Sequence, residues 1–392
     1  MARRATKIKE IRKEGIPTIL IDGGEYAAEY SRQGVLKFET FLEAFREMGY
    51  DAITAGISEI LMQRDTYDAV GRVRAAGIPV LTLNVKYRGK RIRTHPIIFD
   101  RGGVRVAVFS LLMPEALPVT IGGDWEIQDP EELIGDALKY ARGKSDLVFA
   151  ILAGGIPHVQ DFVERHEGMD IVVVSRCSER LSEPMKINDT LLFSTGDMGQ
   201  YLGRLDAELK DGQWDFRPEL IPLDDEISED PGMVAIYDKY QERVKAMAAE
   251  EVEGLRNTVA DRGATSLPLA KDCLSCHQET FTSWAGKPHA RAMESLVEKD
   301  EQFNPECVPC HTTGYKTGGF ISISTTPQYS GVQCIVCHGP MKEHIAFQCN
   351  PSSSPDADVE MVKPVKERAC LTCHTPARDR HFDFEKDKAL VH

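Results

Sequence analysis

Nine of the ten cysteines of this 392-residue chain fall between Cys273 and Cys373, and the tenth, Cys177, stands alone before them. Eight of the nine form four pairs, each followed by histidine: Cys273-Leu-Ser-Cys276-His277, Cys307-Val-Pro-Cys310-His311, Cys334-Ile-Val-Cys337-His338 and Cys370-Leu-Thr-Cys373-His374. Two thiols at this spacing can add to the two vinyl groups of one porphyrin, and the adjacent imidazole can ligate its iron, which is the chemistry of c-type haem attachment. Zinc knuckles also use Cys-x-x-Cys pairs, but they do not need histidine at the next position. Histidine is 11 of 392 residues, so four such followers in a row have chance odds of roughly one in a million. A redox disulfide of the Cys-x-x-Cys type does not recur four times at this interval. The motif residues are therefore expected to hold four c-type haems, with His277, His311, His338 and His374 on the irons.

The same region holds four more histidines, His289, His344, His381 and His392. Four irons with two imidazoles each need eight, and the region has eight. His344 follows His338 by six residues, about 9 Å of helix, and a porphyrin lies between the two faces of one haem. It is expected to serve a neighbouring haem and so tie the haems into one stack. His289, His344 and His392 are the expected distal ligands, and His381 is a weaker candidate. Met293 and Met341 are possible thioether ligands, although methionine is more often core.

Residues 265–392 resemble the tetrahaem cytochromes of the cytochrome c554 family. The likeness rests on Trp284 with Pro288-His289-Ala290, on Cys310-His311-Thr-Thr-Gly314-Tyr315 with Gly318-Gly319-Phe320, on Gly331-Val-Gln-Cys334 through Gly339-Pro340 to His344, and on Phe382-Asp383-Phe384 ahead of His392. In that family three haems have two histidine ligands and one can be five-coordinate. The resemblance favours His289, His344 and His392 as ligands and makes the haem on Cys307 and Cys310 the candidate for the open one.

Residues 1–230 read differently. Apolar runs at Thr18–Ile21, Pro79–Val85, Val104–Leu112, Leu147–Leu152, Ile171–Val174 and Leu191–Ser194 alternate with amphipathic stretches such as Val35–Met48, Glu131–Ala141 and Val159–His166, which predicts α/β layers about a largely buried sheet. Tyr201–Leu209 and Gln213–Leu220 flank Asp211-Gly212 as a hairpin. A charged helix from Pro231 to Val259 leads onward, giving three expected parts: a domain at 1–230, a linker helix at 231–264 and a haem domain at 265–392.

This larger part is similar to the metallophosphoesterase domain of 5′-nucleotidases and UDP-sugar hydrolases, through Ile19–Glu25, Met48–Thr54, Ala76–Val80 and Gln200–Asp206. The fold implied is a two-sheet sandwich flanked by helices. The family's metal-binding positions are altered: Gly24-Glu25 stands at Gly-Asp, Gly56-Ile57-Ser58-Glu59 at Gly-Asn-His-Glu, Gly154 at a lone His, and Cys177 and Glu179 at a pair of histidines. The family's first element, Asp-x-His, precedes the first residue here. A two-metal site needs charged ligands on both ions, and Glu25, Cys177 and Glu179 suffice for at most one. The domain is expected to be a catalytically degenerate scaffold, with His158 a helix-start residue.

The chain carries 47 basic against 61 acidic residues, a formal charge of −14, without the basic footprint of a nucleic-acid binder. Its longest apolar run, Val104–Met113, is interrupted by Arg105 and falls short of the roughly 20 residues a transmembrane helix needs. Met1-Ala-Arg-Arg opens a basic amphipathic helix with no secretory signal, yet haem attachment of this kind takes place outside the cytoplasmic membrane. The expectation is a periplasmic or cell-surface protein whose native form extends upstream. Its expected role is electron transfer with redox partner proteins, whether other cytochromes or quinone-linked reductases. A redox enzyme acting on a small nitrogen compound and a residual phosphohydrolase are the alternatives.

Overall fold

The computed structural model describes residues 1–27, 30–63, 66–114, 123–181, 183–262, 267–339, 344–345, 365–376, 378–379 and 381–391. They fall into two compact units, Met1–Tyr240 and Gln241–His392.

In the first unit an apolar, β-rich stretch, Val104–Leu112, forms the longest strand of the six-stranded main sheet, next to one edge. It pairs in parallel with Leu147–Ala153, which pairs in parallel with Ile171–Ser175. Thr190–Phe193 continues that side in parallel, and Met185–Ile187 closes it antiparallel. Such a sheet must be covered on both faces, which is why its strands are continuous Val/Ile/Leu runs. The opposite flank of Val104–Leu112 is shared. Its first half pairs antiparallel with Ile97–Arg101. Its second half meets Thr82 through a parallel bridge at Ser110. Val80 bridges in turn to Ile53, and Ala52–Ile53 pairs in parallel with Ile21–Asp22.

Helix Arg32–Met48 starts where the Ser31 side chain accepts from the Gly34 amide and stops at Gly49, whose φ of 69° is the left-handed stop that glycine takes readily. It buries Phe38 and Phe45 completely. Ala5 and Ile8, from the basic first helix Ala2–Lys13, pack in the same cluster. Helices Glu131–Arg142 and Ile156–Arg165 cover the other core cluster with Ile134, Val159 and Phe162. The hairpin Tyr201–Lys210 with Gln213–Pro222 turns at Asp211 and Gly212, both at positive φ (51° and 80°), as a two-residue turn of matching twist requires. The unit thus sets mixed sheets between helices, the α/β layering expected from the sequence.

The second unit is helical and irregular. Its helices are short, among them Gln278–Ala285, Ala292–Glu298, Val308–His311 and Cys334–His338. The helix Pro231–Arg262 runs across the boundary between the units. Within the second unit it makes ion pairs from Lys245 to Asp300 (2.7 Å) and from Glu251 to Lys316 (2.6 Å). The unit's buried apolar cluster is small: Met293, Leu296, Val308, Phe320 and Tyr329. No helix among the described residues is long and apolar enough to cross a membrane.

Candidate functional site

Each Cys-x-x-Cys-His motif folds as about one helical turn. The His277 amide donates to the Cys273 carbonyl and the His374 amide to that of Cys370, both at 2.9 Å, and Cys334–His338 is helical throughout. Residues three and four apart on such a turn share a face, so both thiols and the imidazole of a motif point the same way. All twelve motif side chains, with His289, His344 and His381, line one cavity of about 1450 Å³. That exceeds the ~300–1,000 Å³ of an ordinary small-ligand pocket.

Motifs distant in sequence meet there. The Cys273 thiol contacts Cys334, and Cys310 contacts Cys373; burial first, then these neighbours, push Cys273 and Cys310 up to about 11. Cys337 lies near Cys370 and Cys373, and burial raises it as well. No disulfide joins the described cysteines.

The histidines pair across the cavity. The rings of His277 and His344 have centroids 6.4 Å apart, and those of His289 and His374 are 6.0 Å apart. Two imidazoles sharing one metal, each bound at about 2.0–2.1 Å, have centroids about 6 Å apart. Burial, then His374, lowers the pKa of His289 and so favours the neutral ring that a metal requires. The buried Nδ1 of His344 has no hydrogen-bond partner among the described residues.

The motif histidines differ in what holds Nδ1. That of His311 donates to the Ala292 carbonyl at 2.7 Å, with the Ser295 hydroxyl at 3.3 Å. That of His374 donates to Asp379 Oδ2 at 2.8 Å, and the ring stacks on Phe382 at 4.7 Å. The bond from His374 is the largest cause holding the Asp379 carboxyl below its ordinary value. Paired thiols, facing imidazoles and a cavity of this size fit covalently held porphyrins. Met293 packs into the apolar cluster, 4% exposed, and so acts as core. Exposed His381 lines the cavity and contributes a backbone bond to Asp379. His392, Met341 and Cys349 lie outside the described residues.

Sequence reasoning passed over Asp379, Ala292 and Ser295. The only available signal was an acidic residue five positions after the last motif histidine.

In the first unit the altered phosphoesterase positions form a different arrangement. Glu25 Oε1 accepts from the Ile57 amide at 2.8 Å and from Arg176 Nη1 at 3.3 Å. Both Glu25 and Arg176 adopt positive φ, 62° and 54°, a conformation that non-glycine residues rarely take outside functional or constrained sites. Buried Glu59 accepts from the amides of Glu25, Gly56 and Ala27 and from the Ser58 hydroxyl. Its pKa is nevertheless pushed up to about 7, by burial first and then by the Glu25 charge. Asp22 faces the Arg4 guanidinium at 3.6 Å. Cys177 packs against the apolar core and Glu179 is exposed. Gly154 donates its amide to the Ser175 carbonyl, and His158 lies in the first turn of Ile156–Arg165. Among the described residues no three His, Cys, Asp or Glu side chains cluster as a metal site.

Comparison with known proteins agrees with both halves. The family model for cytochrome c554 and c-prime matches residues 272–339. Cytochrome c-554 of Nitrosomonas europaea is 32% identical over 26% of this chain and 55% of its own length. A 5′-nucleotidase of Vibrio vulnificus is 25% identical over 66% of this chain and 58% of its own. The chain thus spans between half and two-thirds of these relatives. Among solved structures, the 5′-nucleotidase precursor of Thermus thermophilus superposes with a TM-score of 0.55 at 17% identity, over 62% of this chain and 53% of that one. The NAD nucleotidase of Haemophilus influenzae gives 0.52 at 13% identity, over 64% and 55%. The chain therefore joins, in one polypeptide, an amino-terminal region with the fold of the 5′-nucleotidases to a carboxy-terminal region that matches the cytochrome c554 family.

Proposed function

We propose that the protein is an electron-transfer cytochrome carrying four covalently attached c-type haems, fused to a phosphoesterase fold that no longer hydrolyses phosphate esters. The observation that carries this reading is the convergence of all twelve motif side chains, with three further histidines, on one cavity. Haem supplies the one-electron chemistry, and the protein sets its potential through ligands, burial and hydrogen bonds.

His277 with His344, and His374 with His289, are the ligand pairs that the ring separations favour. His338 is left to His392. His311, with its Nδ1 fixed by a backbone carbonyl, is left with exposed His381 alone, so its haem is the candidate open site. The sulfur contacts Cys273–Cys334 and Cys310–Cys373, with Cys337 near Cys370 and Cys373, favour close neighbours. Attachment of this kind places the mature protein in the periplasm or at the cell surface, where its partners are other redox proteins.

A pyridine haemochrome assay on the mature protein should give four haems per chain, and a redox titration should resolve four one-electron steps. A polypeptide with no added porphyrin, or with zinc in its place, would overturn the reading. The open site supports a second reading, a redox enzyme for a small nitrogen species, marked by one high-spin ferric haem in four. Four low-spin haems would remove it.

The loss of hydrolysis is supported by Glu25, whose carboxylate is taken up by an arginine and a backbone amide. Nucleotides and UDP-sugars should show no turnover with added divalent metal. Turnover that disappears in Glu25→Ala would refute the scaffold role.

A further inference from the structure

We propose that Asp379 is a positioning residue that makes the haem attached at Cys370 and Cys373 the lowest-potential member of the set. This rests on the reading of His374 as that haem's axial ligand.

The segment after the last motif folds back on it. The amides of Arg378 and Asp379 both donate to the Thr375 carbonyl, at 2.9 and 2.8 Å. This turn returns the Asp379 carboxylate to His374 Nδ1, at 2.8 Å. Phe382 stacks on the imidazole at 4.7 Å and 21° and fixes its plane. His374 is thus held at its outer nitrogen by an anion and on its face by a ring.

The His311 ring has an equally short bond at Nδ1, but its acceptor is the neutral Ala292 carbonyl. A carboxylate draws the Nδ1 proton more strongly than a neutral carbonyl does. The ring then becomes a better donor through Nε2, as with carboxylate partners of other metal-bound histidines. Stronger donation favours the ferric state, which carries one more positive charge, and so lowers the potential. Hydrogen bonding around the ligands is a recognised lever on haem potential. The fold therefore sets the haem behind His374 apart from the one behind His311 by the charge of the group that holds the proximal ring. An electron entering at this haem would run downhill toward the others.

The test is a stepwise redox titration of the full, haem-loaded chain with electron paramagnetic resonance of the ferric form. In Asp379→Asn the last step to be reduced should move upward, the other three should hold, and one low-spin signal should shift. Asp379→Glu should restore the low step. Glu367→Gln removes a charge beside Cys370, without touching His374. It should move the last step less than the Asp379 variant does. Should Asp379→Asn assemble fewer than four haems, Asp379→Ser provides the same comparison with a neutral hydroxyl. Unchanged midpoints, movement of a different step, or an equal shift in Glu367→Gln would each overturn the proposal. A wild-type chain without four haems would instead overturn the cytochrome reading itself.

Discussion

At the residue scale, the twelve motif positions stand out in the sequence by their fixed spacing of cysteine and histidine, and the fold gathers their side chains on one cavity. Asp379 and Arg176 were not, since a lone charge in sequence does not say which group it will face. Glu25 illustrates the difference: its carboxylate was expected as a possible metal ligand, and it is engaged by Ile57 and Arg176. Glu59 yields a prediction of its own. Its folded pKa of about 7 stands above the ordinary 4.5, so between these values the folded state binds more protons than the unfolded one. The stability linked to Glu59 is fully present below about pH 4.5 and is lost as pH rises through about 7, on the order of 3 kcal/mol in all. Hydrogen exchange of slow core amides in the same unit, such as those of Val104–Leu112, should become faster across that interval in the full chain. A rate that stays flat once the intrinsic pH dependence is removed would show that the carboxylate stays ionised.

At the scale of elements, the long apolar runs identified their strands well. Val104–Leu112 is a strand over the expected residues, and the Asp211-Gly212 hairpin turns where its φ-tolerant pair stands. Short elements left too little periodicity to read: Val85–Tyr87 pairs locally with Lys90–Arg91 and, far along the chain, with Trp125–Ile127 to form a small sheet. Thr18–Ile21 contributes to the sheet through Ile21 alone, paired together with Asp22. In the haem unit one glycine does the work of an element. Gly331 has φ +81°, and a Cβ there would sit 2.4 Å from the Ala290 carbonyl oxygen. Its amide donates to the His311 carbonyl, and the next amide, of Val332, donates to that of His289. Gly331→Ala should therefore cost about 1–3 kcal/mol and disturb His289 in particular. Thermal melts followed in the haem absorbance should show the loss. An unchanged melting point would mean that the two segments part at little cost.

At the scale of the molecule, the two units differ in what holds them together. The first buries Phe38, Phe45, Phe109 and Phe162 around packed sheets and helices. The second has one small apolar cluster beside a cavity of about 1450 Å³. Apolar contact is the main driving force for folding, and in the second unit the protein itself supplies little of it. A chain expressed where haem is not attached should keep slow-exchanging amides in Val104–Leu112 and Leu147–Ala153 while those of Cys334–His338 exchange fast. Equal protection in both units would show that the haem unit folds on its own side chains. The cysteines set the carboxy-terminal region apart in the sequence, whereas the group each histidine faces depends on where a folded segment returns.

The contacts between Cys273 and Cys334 and between Cys310 and Cys373 bear on how such a protein is made. Each brings together sulfurs from two different attachment motifs, so a polypeptide that collapsed early in an oxidising compartment would cross-link the wrong partners and lock out its pigment. On the proposed reading, biogenesis keeps these thiols reduced and completes the thioether bonds before the chain closes around them.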